Sequence, residues 1–376
     1  MKYSAMRQEI QKRNVPDVLM GIGGQKITSK EEWESVREKL VDLVAVECYG
    51  RMPDTPVQVT GRILNEDPEG IGGKALYQRV MLHIEGDFPV KELYNEDMMG
   101  RNKVAFDFPI NVAIPKDVEK PPVFLSIHFT PAFANISMPL EEIIDAGYAV
   151  VSFYYQDIVP DMSIEMMGSG SFGVDAGSGW GALAKWAWAS SRVLDYIQQR
   201  DDMDGARVGV AGGSRLGKAA LWAGVCDTRF SVAVPFISGT GGISFYRQNA
   251  KESIDHLINR FPYWFCRNYA KYKENVDQLP FDAHFLAALM APRYVYAGGA
   301  ERDVYDDTKS GYLACIASNP VYELYGLEGI CGKDRYPEAG DVFHEGHIGF
   351  HLRPGTHFIS RYDWQQAIEF RDKHHI

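Results

Sequence analysis

The sequence predicts an α/β protein in which helices cover a mostly parallel central sheet, preceded by an N-terminal antiparallel β extension. From residue 121 onward, short continuous apolar runs alternate with helical stretches, which is typical of buried parallel strands joined by crossover helices. Before that point, three strand-like runs, two of them with alternating apolar residues, are typical of antiparallel β structure. No repeat or long polar linker divides the chain. We therefore predict a single domain, 1–376, with the helix and β extension at 1–115 and the core at 116–376.

Composition excludes several classes of protein. The 376 residues are 45% hydrophobic and 24% charged, a balance typical of globular proteins rather than disordered chains or coiled coils. The formal net charge of −11 argues against binding to nucleic acid or to an anionic membrane surface. No window approaches the roughly 20 apolar residues of a membrane span, and the first residues lack the apolar centre of a signal peptide, so we expect a soluble chain. The five cysteines form no CxxC pair, which predicts neither a disulfide framework nor a zinc site.

The N-terminal third reads as one helix followed by antiparallel strands. The helix begins near Ser29, because Ser29 and Glu32 fit a capping box ahead of an apolar face. That face comprises Trp33, Val36, Leu40, Leu43 and Val44. The predicted strands are PVQVTGRIL, YQRVMLHIEG and KVAFDFPINVAIP.

The remaining two thirds supply the elements of the parallel core. The predicted strands are VFLSIHF, GYAVVSFYY, RVGVAG, FSVAVPFIS, RYVYAGG and a final, alternating HIGFHLR. The predicted helices are WGALAKWAWASSRVLDYIQQR, RLGKAALWAGV and the amphipathic YDWQQAIEFRDKH near the end of the chain.

The stretch RVGVAGGSRLGKAALWAG predicts a nucleophilic serine, Ser214, on a sharp turn between a strand and a helix. Such a turn needs small residues beside the serine, and Gly212 and Gly213 provide them. The helix that follows would present backbone N–H groups to an oxyanion. The pattern is G-x-S-x-x-G rather than the usual G-x-S-x-G, so a glycine-rich turn with a capping serine remains the alternative.

Candidate partners for Ser214 follow in the order acid, then histidine, that this fold class uses. Asp303 or Glu301, after the strand RYVYAGG, could orient a base, and we prefer Asp303. His357, in the loop after HIGFHLR, is the candidate base. Arg215, next to the serine, lies where open α/β sheets bind ligands and could meet an anionic substrate or an oxyanion, as could Lys218, one turn further on.

Seven other histidines are expected to have structural roles. The stretch HEGHIGFH is histidine-rich, but its spacing suits an alternating strand better than a metal-binding helix. The histidines assigned in this way are His83, His128, His256, His284, His344, His347 and His351.

Beyond these local patterns, the chain resembles the glucuronoyl esterases of carbohydrate esterase family 15, in particular the bacterial members. The resemblance covers nearly the whole chain and runs through KEEWESVREKL, GYAVVSFYYQDIVPD, GWGALAKWAWASSRVLDY, GGSRLGKAALWAG, FPYWFCRNY, LPFDAHFLAALMAPR and HIGFHLRPGTHFISRYDW. It implies an α/β-hydrolase fold, a three-layer αβα sandwich, and a serine esterase. The implied substrate is an ester of the carboxyl group of 4-O-methylglucuronic acid, as found between xylan side chains and lignin alcohols.

The resemblance also implies roles for individual residues. Ser214 would be the nucleophile, His357 the base, and Arg215 an oxyanion stabiliser through its backbone N–H and its guanidinium. Lys218 and Glu252 would bind sugar hydroxyls. Substrate contacts would further include Tyr305, which falls where the family usually has a tryptophan.

Besides Tyr305, two further departures from the family pattern matter. At one of the two positions where the family places its acid, this chain has Ile237, which cannot orient a histidine, so Asp303 at the other position must serve. Gly213 stands where the family commonly has cysteine or histidine, which excludes a disulfide beside the nucleophile.

The expected partner is a glucuronoxylan-type carbohydrate ester, and we expect a monomer that needs no metal or organic cofactor. Two alternatives remain at this level: a broader carboxylesterase or acetyl esterase acting on sugar or small esters, and a carbohydrate-binding protein that has lost the chemistry. The family substrate implies a secreted or periplasmic location, although no export signal is visible in the sequence.

Overall fold

The computed structural model describes residues 2–54, 56–86, 104–133, 137–162, 179–249 and 251–376. Within them, ten strands form one sheet in the order β1-β2-β3-β5-β4-β6-β7-β8-β10-β9. The strands are β1 (Val57–Gly70), β2 (Ala75–Gly86), β3 (Val104–Pro115), β4 (Val123–His128), β5 (Ala149–Tyr154), β6 (Val208–Gly213), β7 (Val232–Phe236), β8 (Tyr294–Ala300), β9 (Val342–Phe343) and β10 (Ile348–Arg353). The helices are α1 (Ser4–Lys12), α2 (Lys30–Val44), α3 (Leu140–Asp145), α4 (Ala182–Ile197), α5 (Arg215–Cys226), α6 (Ile254–Arg260), α7 (His284–Leu289), α8 (Thr308–Leu324) and α9 (Arg361–His374).

The centre of the sheet is parallel, as predicted. Strands β5, β4, β6, β7, β8 and β10 pair in parallel, and every residue of β4, β6, β7 and β10 is buried. Burial of both faces explains why these strands read as continuous apolar runs, since helices cover the sheet on each side. Because parallel strands all end at the same edge of a sheet, the loops after β6, β8 and β10 lie close together.

The N-terminal strands are antiparallel, again as predicted, and they continue the core sheet. β1 pairs with β2 and β2 with β3, and β3 joins the core by pairing with β5 from Ile110, opposite Phe153, to Ala113. The preceding helix, α2, is capped by the Ser29 side chain, which accepts a hydrogen bond from the Glu32 backbone N–H at 3.2 Å. The capping box is only half formed, because the Glu32 carboxylate accepts from the Thr28 backbone N–H instead of closing on Ser29.

The last predicted strand, HIGFHLR, is confirmed as β10. All six residues of β10 are buried, including the polar ones that produce its alternation. His351 is buried through hydrogen bonds with the Tyr296 hydroxyl (2.9 Å) and the Asp363 carboxylate (2.8 Å). Polar residues of this strand thus pair inside the protein rather than facing water.

Other features of the described residues bear on the sequence expectations. No helix among them is long and apolar enough to cross a membrane. In the same ranges, no group of three or more His, Cys, Asp or Glu side chains is arranged to hold a metal ion. All five cysteines are free thiols.

Candidate active site

Ser214 lies on a strained turn between β6 and α5. Its backbone has φ 55° and ψ −127°, a conformation that non-glycine residues rarely adopt. The Ser214 N–H donates to the carbonyl of Phe236 at 2.9 Å, which ties the turn to β7. Glycine is needed at position 212, because a Cβ there would lie 2.3 Å from the Leu216 backbone carbonyl oxygen. At Gly213 an added Cβ would meet only the end of the Ile359 side chain, with Cδ1 at 2.0 Å. The turn therefore has the form of a nucleophile elbow.

A continuous hydrogen-bonded chain runs from Ser214 through His357 to Asp303. His357 Nε2 lies 2.9 Å from Ser214 Oγ, and His357 Nδ1 lies 2.7 Å from Asp303 Oδ2. The other Asp303 oxygen accepts from the backbone N–H groups of Tyr305 (2.8 Å) and Asp306 (2.9 Å). Burial acts to raise the pKa of Asp303, but these hydrogen bonds outweigh it, so the pKa lies below its ordinary value and the carboxyl is ionised at neutral pH.

The two acids that the sequence left open are placed differently. Asp303 is buried against His357, whereas Glu301 is exposed at the surface, its backbone N–H bonded to the carbonyl of Arg353. Ile237 follows β7 and is buried, and its backbone N–H donates a hydrogen bond to the carbonyl of Gly298. An aliphatic side chain there leaves Asp303 as the acid in contact with the histidine.

Arg215, the first residue of α5, is held by a buried carboxylate that sequence reasoning did not find. Its guanidinium forms an ion pair with Asp161 and lies 4.9 Å from the centre of the Trp264 ring. Asp161 also accepts from the hydroxyls of Tyr155 (3.1 Å) and Tyr263 (3.0 Å) and from the Trp264 indole N–H (2.8 Å). The Arg215 side chain is 29% exposed despite this ion pair.

Lys218 and Glu252 form a buried ion pair behind the elbow. The Lys218 ammonium donates at 2.7 Å to the Glu252 carboxylate and to the carbonyls of Ser238 and Thr240. All three of its N–H donors are therefore used within the protein. Glu252 makes these contacts through Oε2, which also accepts from the Thr240 N–H at 3.2 Å. In this arrangement Lys218 fixes Glu252 and keeps no spare donor of its own.

Apolar side chains rim the opening beside His357. The Tyr305 ring is 42% exposed and meets the His357 ring edge-on, with 5.1 Å between ring centres. Val304 and Phe358, which flank the same two loops, are 66% and 46% exposed. The loops that carry Asp303 and His357 thus expose apolar and aromatic side chains, and the Tyr305 ring contacts His357.

Three residues of this region were missed by sequence reasoning: Asp161, Asp306 and Arg353. Asp161 lies in the stretch QDIVPD, and Asp306 in an acidic cluster of a kind that is usually solvated. Arg353 ends β10, where its guanidinium donates to the carbonyls of Pro354 and Phe358 and to the Asp363 carboxylate. Only the placement of all three next to the loops at the sheet edge shows that they support the site.

The fold and this chain of hydrogen bonds define the protein as an α/β-hydrolase with the geometry of a serine hydrolase: serine after β6, acid after β8 and histidine after β10.

Comparison with known proteins identifies a family within the α/β-hydrolases. A sequence model of the family described as "Glucuronyl esterase, fungi" matches residues 99–326, more than half of the chain. The chain is 30% identical to carbohydrate esterase MZ0003 from an unknown prokaryotic organism, over 97% of this chain and 90% of that protein. It is 31% identical to a 4-O-methyl-glucuronoyl methylesterase of Podospora anserina, over 82% of this chain and 57% of that protein.

Comparison with solved structures points to the same family as the sequence comparison. A promiscuous CE15 esterase from a marine bacterial metagenome superposes with a TM-score of 0.82 at 29% identity, covering 96% of each chain. A glucuronoyl esterase from Solibacter usitatus superposes with a TM-score of 0.81 at 30% identity, covering 95% of this chain and 97% of that one. The chain belongs to the glucuronoyl esterase family, carbohydrate esterase family 15, and is therefore a carboxylic ester hydrolase.

Proposed function

We propose that this enzyme hydrolyses esters in which 4-O-methylglucuronic acid is the acyl group, through an acyl-enzyme on Ser214. The observation that carries the chemistry is the hydrogen-bonded chain from Ser214 through His357 to the ionised Asp303. The acyl group is supported by relatives named 4-O-methyl-glucuronoyl methylesterases. We further propose that the ester is carried by a xylan-type polymer and that the enzyme acts outside the cytoplasm, where such polymers are found.

The geometry supports the following sequence of steps. His357 Nε2 takes the proton from Ser214 Oγ as the oxygen attacks the ester carbonyl. Asp303, hydrogen-bonded to Nδ1, stabilises the imidazolium that forms. The tetrahedral intermediate collapses as His357 returns the proton to the departing alcohol oxygen. Water, deprotonated by His357, then attacks the acyl-enzyme, and the acid is released while Ser214 recovers its proton.

The negative charge of the tetrahedral intermediate falls near the start of α5. The first N–H groups of a helix have no intrahelical partner, so the Arg215 backbone N–H is available to an oxyanion. We propose that the Arg215 guanidinium, which is oriented by its ion pair with Asp161, donates a further hydrogen bond to this oxygen.

Replacement of Arg215 by alanine should lower kcat by about a hundredfold to a thousandfold, because it removes one oxyanion donor while the backbone N–H remains. Steady-state kinetics on a soluble uronate ester would measure the loss, and circular dichroism would show that the fold is unchanged. An Arg215→Ala enzyme with wild-type kcat would contradict the proposed role.

On the acyl side, we propose that Glu252 contacts the sugar hydroxyls and that Lys218 positions it, since the lysine has no spare donor. Tyr305 would contribute a ring face at the rim.

Glu252→Gln should raise KM for a glucuronate ester at least about tenfold, because a charged acceptor to the sugar is lost, a contact worth about 1.5–3 kcal/mol. KM for 4-nitrophenyl acetate, which has no sugar, serves as the internal control and should stay unchanged. Equal losses on both substrates would show that Glu252 acts on the fold and not on the sugar.

The test of the function itself compares kcat/KM for benzyl glucuronate with that for 4-nitrophenyl acetate, with Ser214→Ala as the blank. A strong preference for the uronate would support the proposal. Activity on the acetate alone would indicate a broader carboxylesterase. The exposed apolar side chains near His357 are compatible with that alternative. Failure of a fluorophosphonate to label Ser214 would favour a binding protein without catalysis.

A further inference from the structure

A second buried carboxyl, that of Asp306, lies directly behind the acid of the site. Asp306 is 2% exposed, and its backbone N–H donates to Asp303 Oδ1 at 2.9 Å. Its own Oδ1 accepts from the Gly239 N–H (3.2 Å) and the Ser244 hydroxyl (2.8 Å). The loop that carries Asp303 is thereby fastened to the loop that follows β7.

Both signs of charge surround this carboxyl. The Asp303 carboxylate lies on its own loop, and the Lys251 ammonium donates to the backbone carbonyls of Asp303 (2.6 Å) and Asp306 (3.0 Å). Asp307, the next residue, turns away to cap α8 at Ser310 and to face Arg13 at 3.9 Å. The charged or titratable groups near Asp306 are Asp303, Asp307, Lys251, His357, Lys218 and, through Lys218, Glu252.

The surroundings shift the pKa values of the two neighbouring carboxyls in opposite directions. Burial and the negative charge of Asp303 raise the pKa of Asp306 to about 7, against the opposing effects of the Ser244 hydrogen bond and the positive charges of Lys218 and His357. The pKa of Asp303 is instead lowered. Pairs of acids whose surroundings separate their pKa values in this way are common in catalytic sites.

We propose that Asp306 is a positioning residue of the catalytic site, which fixes Asp303 and, through the charge on its carboxyl, sets the pH range in which His357 acts as a base. This inference rests on the proposed function of the triad. His357 must be neutral to accept the Ser214 proton, so the rate should rise with pH on the acid side of the pH profile. An ionised Asp306 places a second negative charge behind Asp303, and this charge stabilises the imidazolium form of the histidine. The rise in rate therefore occurs at a higher pH than it would without the charge on Asp306.

The experiment measures the rate at which a fluorophosphonate labels Ser214 as a function of pH, since labelling needs the triad but not the sugar. In Asp306→Asn the amide oxygen can still accept from Gly239 and Ser244, but the charge is gone. We expect the rising limb of its profile to move to lower pH by about half a unit or more, a modest part of what one charge several ångströms away can produce. The matched control is Asp307→Asn, in which asparagine can still cap α8, and its profile should coincide with wild type.

The outcomes separate this inference from the proposed function. If Asp306→Asn labels with the wild-type pH profile, Asp306 is only structural and the inference is wrong. If Ser214 is not labelled at any pH in the wild-type enzyme, the proposed function itself fails.

Should Asp306→Asn not fold, Ser244→Ala provides the test, because loss of the hydroxyl removes a hydrogen bond that lowers the pKa of Asp306. Less Asp306 is then ionised at a given pH, so the limb should again move to lower pH. A limb unchanged from wild type in that variant would also overturn the inference.

Discussion

Replacement of Asp303 by asparagine should lower kcat/KM by about a thousandfold to ten-thousandfold, because the amide cannot stabilise the imidazolium and favours the wrong tautomer of His357. The side chain is buried, 2.7 Å from His357 Nδ1, and held by two backbone N–H groups, so its position should be kept in the variant. Initial rates on benzyl glucuronate, corrected for the Ser214→Ala blank, would give the ratio.

Glu301→Gln is the matched control for Asp303→Asn. Both are acids that the sequence alone allowed as partners of His357, and each change removes one charge without altering size. Glu301 is exposed, so its variant should stay within about twofold of wild type. A large loss in Glu301→Gln together with a small loss in Asp303→Asn would reverse the assignment of the acid.

Replacement of Arg353 by methionine should lower the free energy of unfolding by about 3 kcal/mol, because it leaves buried acceptors without their donor. Arg353 is only 6% exposed, and its guanidinium donates hydrogen bonds to both Asp363 carboxylate oxygens at 2.8 and 2.9 Å. It also donates to the carbonyls of Pro354 and Phe358, which lie on either side of His357 in the same loop. The same change should reduce kcat at least about tenfold, since His357 would no longer be held in place. Urea unfolding and steady-state kinetics would measure the two effects.

Arg361→Met offers a control on the same segment of chain. Arg361 pairs with Glu142 at 3.1 Å, but the two side chains are 66% and 46% exposed, and exposed pairs contribute at most about 1 kcal/mol. Similar unfolding curves for the two methionine variants would contradict the role assigned to Arg353.

Local patterns of residues were enough to predict several parts of the protein. Continuous apolar runs are required of strands covered on both faces, so β4 and β6 were predictable, as was the antiparallel group β1 to β3 from its alternation. The elbow at Ser214 was predictable because a sharp turn between a strand and a helix needs small residues beside the serine, and Gly212 and Gly213 precede it. The order serine, acid, histidine gave the candidates for the triad.

Helices that lack a clear local sequence pattern, such as α1 and α8, were not predicted from the sequence. α1 is polar, with only Met6 buried, and the Asp334 carboxylate, more than 300 residues away, accepts from the N–H groups of Ala5 and Met6. α8 contains Gly311 and Pro320, which read as helix breakers, yet most of its residues are buried in the core. Packing against distant parts of the chain overrides weak local propensity in both helices.

Which polar groups come into contact depends on how distant parts of the chain pack together. Glu301 and Asp303 are two residues apart, and burial against His357 distinguishes them. The ion pair of Arg215 with Asp161 and that of Lys218 with Glu252 join residues 54 and 34 positions apart. No local pattern encodes such contacts, because they arise from loops that the parallel strands bring to one edge of the sheet, where burial makes each unpaired charge costly and so fixes its partner.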